Sequence, residues 1–139
     1  MRAFSQELIN DIKRDEGFEP MPYNDHLGYP TIGYGTKLPI DDKEAELLLV
    51  KRLGETYDEL RKRAGIFDDL PEEVQNILLN MAYNLGVPRL MGFKRMWAAL
   101  GRRDYITAAK EMRDSLWYRQ VGRRAERLAQ KMENIITEV

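Results

Sequence analysis

Residues 21–37 read MPYNDHLGYPTIGYGTK, and this stretch decides which kind of fold the chain can form. Three tyrosines, a Thr-Ile pair and closely spaced glycines and prolines are typical of strands and turns. The stretch therefore predicts a small hairpin or a three-stranded sheet. Everything that follows it in the chain carries helical patterning.

A first helix is predicted before this sheet, from about Gln6 to Arg14. Ser5 can cap its beginning and Gly17 can end it. Its apolar stripe, Leu8 with Ile9 and Ile12, is expected to face the core.

Local signals also place the helices after the sheet. A capping-box pair, Asp41 with Glu44, opens a long helix. Pro71 opens the next helix, which is predicted to be central and largely buried and to end at Gly86 and Pro88. Shorter helices are expected from Phe93 to Leu100, from Asp104 to Arg113, and from Leu116 to Ile136 with a candidate break at Gly122.

These patterns indicate an α+β fold that is mostly helical. At 139 residues the chain is near the size of one domain. We expect a single domain, with a β-lobe at about residues 17–40 and a helical lobe formed by residues 1–16 and 41–139. A cleft between two such lobes is a place where ligands tend to sit.

Composition excludes several classes of protein. Apolar residues make up 43% of the chain and charged residues 32%, and no apolar run approaches the ~20 residues that a membrane-spanning helix needs. No cysteine and only one histidine are present, so thiolate and multi-histidine metal sites are excluded and no cofactor is expected. No signal peptide is recognised at the N-terminus, which favours a cytoplasmic location without membrane insertion.

Charge is spread unevenly along the chain. Residues 94–131 hold 11 Lys and Arg against 4 Asp and Glu, a balance of +7, whereas residues 1–93 have a balance of −6. A basic segment suits a polyanionic partner such as nucleic acid or an acidic cell wall. Solvated helix faces are the simpler explanation of the same charges.

Three polar residues near the sheet could carry chemistry together: Glu16, Asp25 and Thr31. Two carboxylates that face a cleft are what glycoside hydrolysis requires, one as proton donor and one ionised. A carboxyl group on a core helix loses solvation, whereas one on an exposed hairpin stays charged. Glu16 is therefore expected to be the acid and Asp25 the base or nucleophile. The alternative is structural, with Glu16 bonded at a helix end and the other two capping a turn.

The sequences of three segments add to this reasoning: DEGF at 15–18, PYND at 22–25 and GYPTIGYGT at 28–36. They resemble the phage-type, T4-like lysozymes of glycoside hydrolase family 24, with Glu16 and Asp25 nine residues apart and Asp25 and Thr31 six apart. LNMAYNLG at 79–86 and SLWYRQ at 115–120 continue the similarity in the same order.

The resemblance implies a lysozyme-like fold, with a small N-terminal β-hairpin lobe and a helical C-terminal lobe. It also implies a muramidase, or endolysin, in which Glu16 donates the proton while Asp25 and Thr31 hold the attacking water. We expect the reaction to invert the configuration at the anomeric carbon. Tyr83 and Lys37 would line the sugar-binding cleft, although the family residue at the position of Lys37 is usually apolar. Peptidoglycan is the implied partner, with release through a holin for host-cell lysis. A monomer is the default expectation.

Three other functions remain as alternatives. A lytic transglycosylase on a similar fold needs one acid and no activated water, so Asp25 and Thr31 count against it. A wall-binding remnant of a lysozyme would bind peptidoglycan without turnover. A helical nucleic-acid binder would use the basic segment, but the sequence carries no recognised nucleic-acid-binding signature.

Overall fold

The computed structural model describes residues 2–136 and confirms an α+β, mostly helical fold with one small N-terminal sheet. A short 3-10 helix, Phe67–Asp69, separates the second and third helices. The other elements, in chain order, are α1 (Gln6–Glu16), β1 (Glu19–Asn24), β2 (Pro30–Gly33), β3 (Thr36–Lys37), α2 (Asp42–Arg63), α3 (Glu72–Leu85), α4 (Val87–Met91), α5 (Lys94–Gly101), α6 (Tyr105–Arg113), α7 (Leu116–Val121) and α8 (Arg123–Glu133).

The chain divides into two compact units, Met1–Leu47 and Leu48–Val139. The first unit holds α1 and the antiparallel three-stranded sheet, whose strands lie in the order β1-β2-β3. This sheet confirms the prediction made from residues 21–37. The expected organisation as a single domain stays a prediction.

Helix α1 begins as its sequence predicts, because the hydroxyl of Ser5 accepts a hydrogen bond from the backbone N–H of Leu8 at 3.2 Å. It runs two residues further than expected and ends at Gly17, whose N–H donates to the carbonyl of Lys13. The expectation that its apolar stripe of Leu8, Ile9 and Ile12 faces the core was wrong, since no residue of this helix is buried. Amphipathic spacing identified the apolar side of the helix but not how much of it is covered.

The capping box predicted for α2 is present in both directions. The N–H of Glu44 donates to the carboxylate of Asp41 at 2.8 Å, and the N–H of Asp41 donates to the carboxylate of Glu44 at 3.0 Å. Two backbone N–H groups at the helix start are thereby satisfied.

The second unit is built around α3, the helix predicted to be central and buried. Five of its apolar residues are buried, and they follow helical spacing: Val74, Ile77, Leu78, Met81 and Ala82. Gly86 ends α3 as predicted, but the prediction that Pro88 terminates it was wrong. Pro88 lies in the first turn of α4, where a missing N–H costs no helical hydrogen bond.

The C-terminal helices follow the predicted boundaries closely. Asp104 caps α6 through the N–H of Thr107 at 3.0 Å, and Ser115 caps α7 through the N–H of Tyr118 at 3.1 Å. Gly122 separates α7 from α8, as its sequence position predicts.

An ion-pair network joins α6 to α8. The guanidinium of Arg113 donates to Glu126 at 2.9 Å and to Glu133 at 2.7 Å, and the hydroxyl of Tyr118 donates to Glu126 at 3.0 Å. The hydrogen bonds from Arg113 lower the pKa of Glu126 to about 2 and also lower the pKa of Glu133. At least one arginine of the basic segment therefore has a structural role.

Within residues 2–136, none of the helices combines the length and the apolar character needed to cross a membrane.

Candidate active site

The sheet of the first unit brings three of the predicted site residues together. Thr31 on β2 is the cross-strand partner of both Tyr23 on β1 and Lys37 on β3. Side chains of directly paired residues lie on the same face of a sheet, close enough to interact. Asp25 follows β1 at the turn into β2, where its N–H donates to the carbonyl of Tyr29 at 2.9 Å.

The carboxylate of Asp25 is held on both of its oxygens. Oδ1 accepts the backbone N–H of Leu27 at 2.9 Å and of Tyr29 at 2.8 Å, which is the turn-capping arrangement expected from the sequence. Oδ2 accepts a hydrogen bond from Nζ of Lys37 at 2.5 Å. The side chain of Asp25 is only 9% exposed, whereas that of Lys37 is 57% exposed.

These contacts fix the charge of Asp25. The hydrogen bond from Lys37, followed by the backbone N–H of Tyr29, lowers the pKa of the Asp25 carboxyl to about 2. Asp25 is therefore ionised across the neutral and mildly acidic range, as the hypothesis of one ionised carboxylate requires.

Thr31 is fully buried beneath this ion pair. Its hydroxyl donates to the carbonyl of Tyr29 at 2.9 Å, and its Oγ1 lies 3.5 Å from Nζ of Lys37. With its proton committed to a backbone carbonyl, the hydroxyl oxygen can act only as an acceptor toward the site.

Glu16, the last residue of α1, lies against the turn between β2 and β3. A Cβ atom placed on Gly35 would overlap the carboxylate of Glu16, so the missing side chain at Gly35 leaves the space that this carboxylate fills. Among residues 2–47, the structure gives the Glu16 side chain no hydrogen bond or ion pair. Glu16 is exposed, so the burial expected to separate its role from that of Asp25 is not found.

Lys37 is also influenced electrostatically by its surroundings. The hydrogen bond to Asp25 raises the pKa of Lys37 most, and the charges of Tyr23 and Glu16 raise it further. One ammonium group is thus within electrostatic reach of both predicted catalytic carboxylates.

The ion pair between Lys37 and Asp25 was not predicted from the sequence, because Lys37 was assigned to the sugar-binding cleft. The spacing held a signal for it, because six residues separate Thr31 from both Asp25 and Lys37. Two tight turns at that spacing place Lys37 opposite Thr31 on the neighbouring strand and Asp25 at the turn just after β1.

Tyr83 lies in the second unit, on α3, and is 41% exposed. It lines a groove of about 710 Å³ between α2 and the start of α4. The other residues around this groove are Lys51, Arg52, Glu55, Thr56, Glu59, Ala82, Gly86, Val87 and Pro88. An exposed aromatic ring in a polar groove is suited to contact a sugar, which keeps the predicted binding role as a proposal.

Two side-chain contacts that the sequence did not predict tie the C-terminal helices to α3. The indole N–H of Trp117 donates to Asn84 at 2.8 Å, and the guanidinium of Arg124 donates to the side chain of Asn80 at 2.6 Å. Nothing in local spacing could have paired residues 33 and 44 positions apart.

Over residues 2–136, no three His, Cys, Asp or Glu side chains cluster in a way that could hold a metal ion. The groups present at the site described above are carboxylates, a hydroxyl group and an ammonium group.

Comparison with known proteins gives the same assignment as the motifs. The chain is 30% identical, over 155 aligned residues, to the pre-baseplate central spike protein Gp5 of Enterobacteria phage T4. That match covers 89% of this chain but only 27% of the relative, so the chain spans about a quarter of the relative's length. Residues 13–134 match the family model for phage lysozyme, which confirms the resemblance seen in the sequence. The chain belongs to the phage lysozyme family.

Proposed function

We propose that the protein is a muramidase that hydrolyses the β-1,4 bond between N-acetylmuramic acid and N-acetylglucosamine in bacterial peptidoglycan. Membership of the phage lysozyme family supports a glycoside hydrolase that acts on peptidoglycan. The observation that carries the proposal is the pair of carboxylates with unequal surroundings, Glu16 and Asp25, at one small sheet.

The unequal surroundings divide the catalytic roles. Asp25 is held ionised by a cation and two backbone N–H groups, so it is unsuited to donate a proton. Glu16 has none of these partners among residues 2–47 and is the carboxyl group left to protonate the leaving oxygen. Thr31, as an acceptor beside Asp25, helps to hold the water that attacks the sugar, and inversion of configuration is expected. In this proposal Lys37, on the sheet of the first unit, and Tyr83, on α3 of the second unit, each bind glycan.

The products distinguish hydrolysis from its closest alternative. Purified peptidoglycan would be digested with the protein, and the released fragments would be analysed by mass spectrometry. A muramidase adds water and leaves reducing N-acetylmuramic acid ends, whereas a lytic transglycosylase leaves anhydro ends. Anhydro products would overturn the proposed role of water. Binding without any released fragment would favour the wall-binding remnant.

Gly35→Ala is expected to lower hydrolysis by about tenfold or more, because the added methyl group displaces the carboxylate of Glu16. The backbone of Gly35 has φ near +73°, so alanine there also strains the backbone by roughly 1–2 kcal/mol. The rate of peptidoglycan clearing would be measured beside thermal unfolding.

Gly54→Ala is the matched control for this change. Gly54 lies within α2, and a Cβ atom added there meets nothing within 4 Å. The activity of the Gly54→Ala variant should equal that of the wild type, with no loss of stability. Full activity in a folded Gly35→Ala variant would contradict the placement of Glu16 over this turn.

Hydrolysis is expected to slow as salt rises, because residues 94–131 carry a balance of +7 that attracts anionic cell walls. Screening shortens the reach of this attraction to about 8–10 Å near physiological ionic strength. Clearing rates would be compared across a sodium chloride series at constant pH. A rate that does not change with salt would remove the electrostatic contribution.

For the biological setting, we propose host-cell lysis by a monomeric enzyme that reaches the wall from the cytoplasm through a holin. The relative named as a central spike protein favours a second setting, in which the hydrolase belongs to a virus particle. Mass spectrometry of purified particles from the phage or prophage that encodes the chain separates the two. Its presence in particles supports the second setting, and its absence supports the first.

A further inference from the structure

Lys37 donates a hydrogen bond to the carboxylate oxygen of Asp25 that accepts none from the backbone. Oδ1 accepts two backbone N–H groups, from Leu27 and Tyr29, and these fill its two lone pairs. Oδ2 faces Nζ of Lys37 at 2.5 Å, and the same nitrogen is 3.5 Å from Oγ1 of Thr31. The ammonium group therefore lies where a water held jointly by the carboxylate and the hydroxyl would lie.

Asp25 does not need Lys37 to keep its orientation. The two backbone hydrogen bonds on Oδ1 belong to a tight turn and fix the plane of the carboxylate without it. Lys37 approaches from the solvent side, since its side chain is 57% exposed over a carboxylate that is 9% exposed. Its flexible stem can swing away without disturbing the sheet.

We propose that Lys37 restrains hydrolysis by occupying the water position on Asp25, and that it must leave this position before the water can attack. The inference rests on the proposed muramidase function and makes Lys37 a positioning residue that acts through Asp25. A cation at Oδ2 also offsets the negative charge that would stabilise the positive charge developing on the sugar. Both effects slow the reaction.

The charges around Lys37 keep this restraint in place at neutral pH. Asp25 beside it, Tyr23 on β1 and Glu16 on α1 all raise the pKa of Lys37, so the side chain remains protonated. In return, Lys37 lowers the pKa of Asp25 to about 2. Activity that needs ionised Asp25 is lost as pH falls through this pKa. Removing Lys37 should move the loss upward, toward the ordinary Asp value of about 3.9.

Lys37→Met tests the proposal, because it keeps the length of the side chain and removes the charge. We expect kcat on purified peptidoglycan at pH 7 to rise on the order of tenfold. The acid limb of the pH profile should move to higher pH in the same variant. Lys37→Arg restores a cation and should return both properties toward those of the wild type. Lys43→Met removes a lysine charge from α2 in the same unit and should leave kcat unchanged.

A kcat that is unchanged or lower in folded Lys37→Met, or an acid limb that does not move, would overturn the restraint. Thermal unfolding checks the fold, and Lys37→Gln provides the same test if the Met variant does not fold. A wild type that releases no fragments from peptidoglycan contradicts the proposed function instead. In that case the titration of the Asp25 carboxyl group, followed by NMR in wild type and Lys37→Met, tests the contact between Lys37 and Asp25 without relying on activity. A higher pKa in the variant supports the contact, and an equal pKa excludes it.

Discussion

Glu16→Gln is expected to lower kcat for peptidoglycan hydrolysis by at least ~10²-fold, the usual contribution of a general acid. Glutamine has nearly the same shape as glutamic acid, so it still fits the space over Gly35. It carries no acidic proton, however, and the leaving oxygen would depart unprotonated. Turbidity loss of a wall suspension and release of reducing ends would be measured side by side.

Glu7→Gln is the matched control for this substitution. It makes the same chemical change on the same helix, in the first turn of α1 rather than at its end. Its kcat should remain that of the wild type, which shows that a lost charge on α1 is not enough to lower activity. Far-UV circular dichroism would establish that both variants fold. A folded Glu16→Gln enzyme within a few-fold of the wild type would remove Glu16 from the role of acid.

A substrate with a good leaving group sharpens this test. When the leaving group departs easily without a proton, loss of the general acid matters less. An aryl glycoside of the peptidoglycan disaccharide should therefore be cleaved by Glu16→Gln with a much smaller loss than the natural polymer. An equal loss on both substrates would indicate that Glu16 acts in binding instead.

The sequence predicted features that depend on neighbouring residues in the chain. The cap at Ser5 and the capping box of Asp41 with Glu44 join residues three positions apart, so a short window contains the whole interaction. The strands and turns of residues 21–37 were predictable for the same reason. Helix ends moved by one to three residues, the largest difference being at the end of the last helix, which stops at Glu133 instead of Ile136.

Burial and charge pairing were harder to predict, because they depend on partners far along the chain. Arg113 binds carboxylates 13 and 20 residues away, and no spacing rule within α6 indicates those partners. The exposure of Glu16 was mispredicted for a related reason. The apolar stripe of α1 shows which side prefers contact but not whether a contact covers the end of the helix.

Leu78→Ala is expected to lower the free energy of unfolding of the second unit by about 2–5 kcal/mol. Leu78 is completely buried on α3, the helix around which this unit is built. Removing its branched end deletes apolar contacts and leaves a cavity that close-packed neighbours can fill only in part. Both tryptophans of the chain, Trp97 and Trp117, lie in the same unit, so fluorescence during urea unfolding reports on it directly.

Leu116→Ala separates the loss of a core contact from the loss of a leucine side chain. Leu116 is likewise a helical leucine, the first residue of α7, but it is 61% exposed. The same truncation there should change the free energy of unfolding by no more than about 0.5 kcal/mol. Equal urea concentrations at the unfolding midpoint of the two variants would contradict the burial of Leu78 on α3. If Leu78→Ala unfolds at a lower urea concentration with an unchanged slope, the substitution has weakened packing without altering the surface exposed on unfolding.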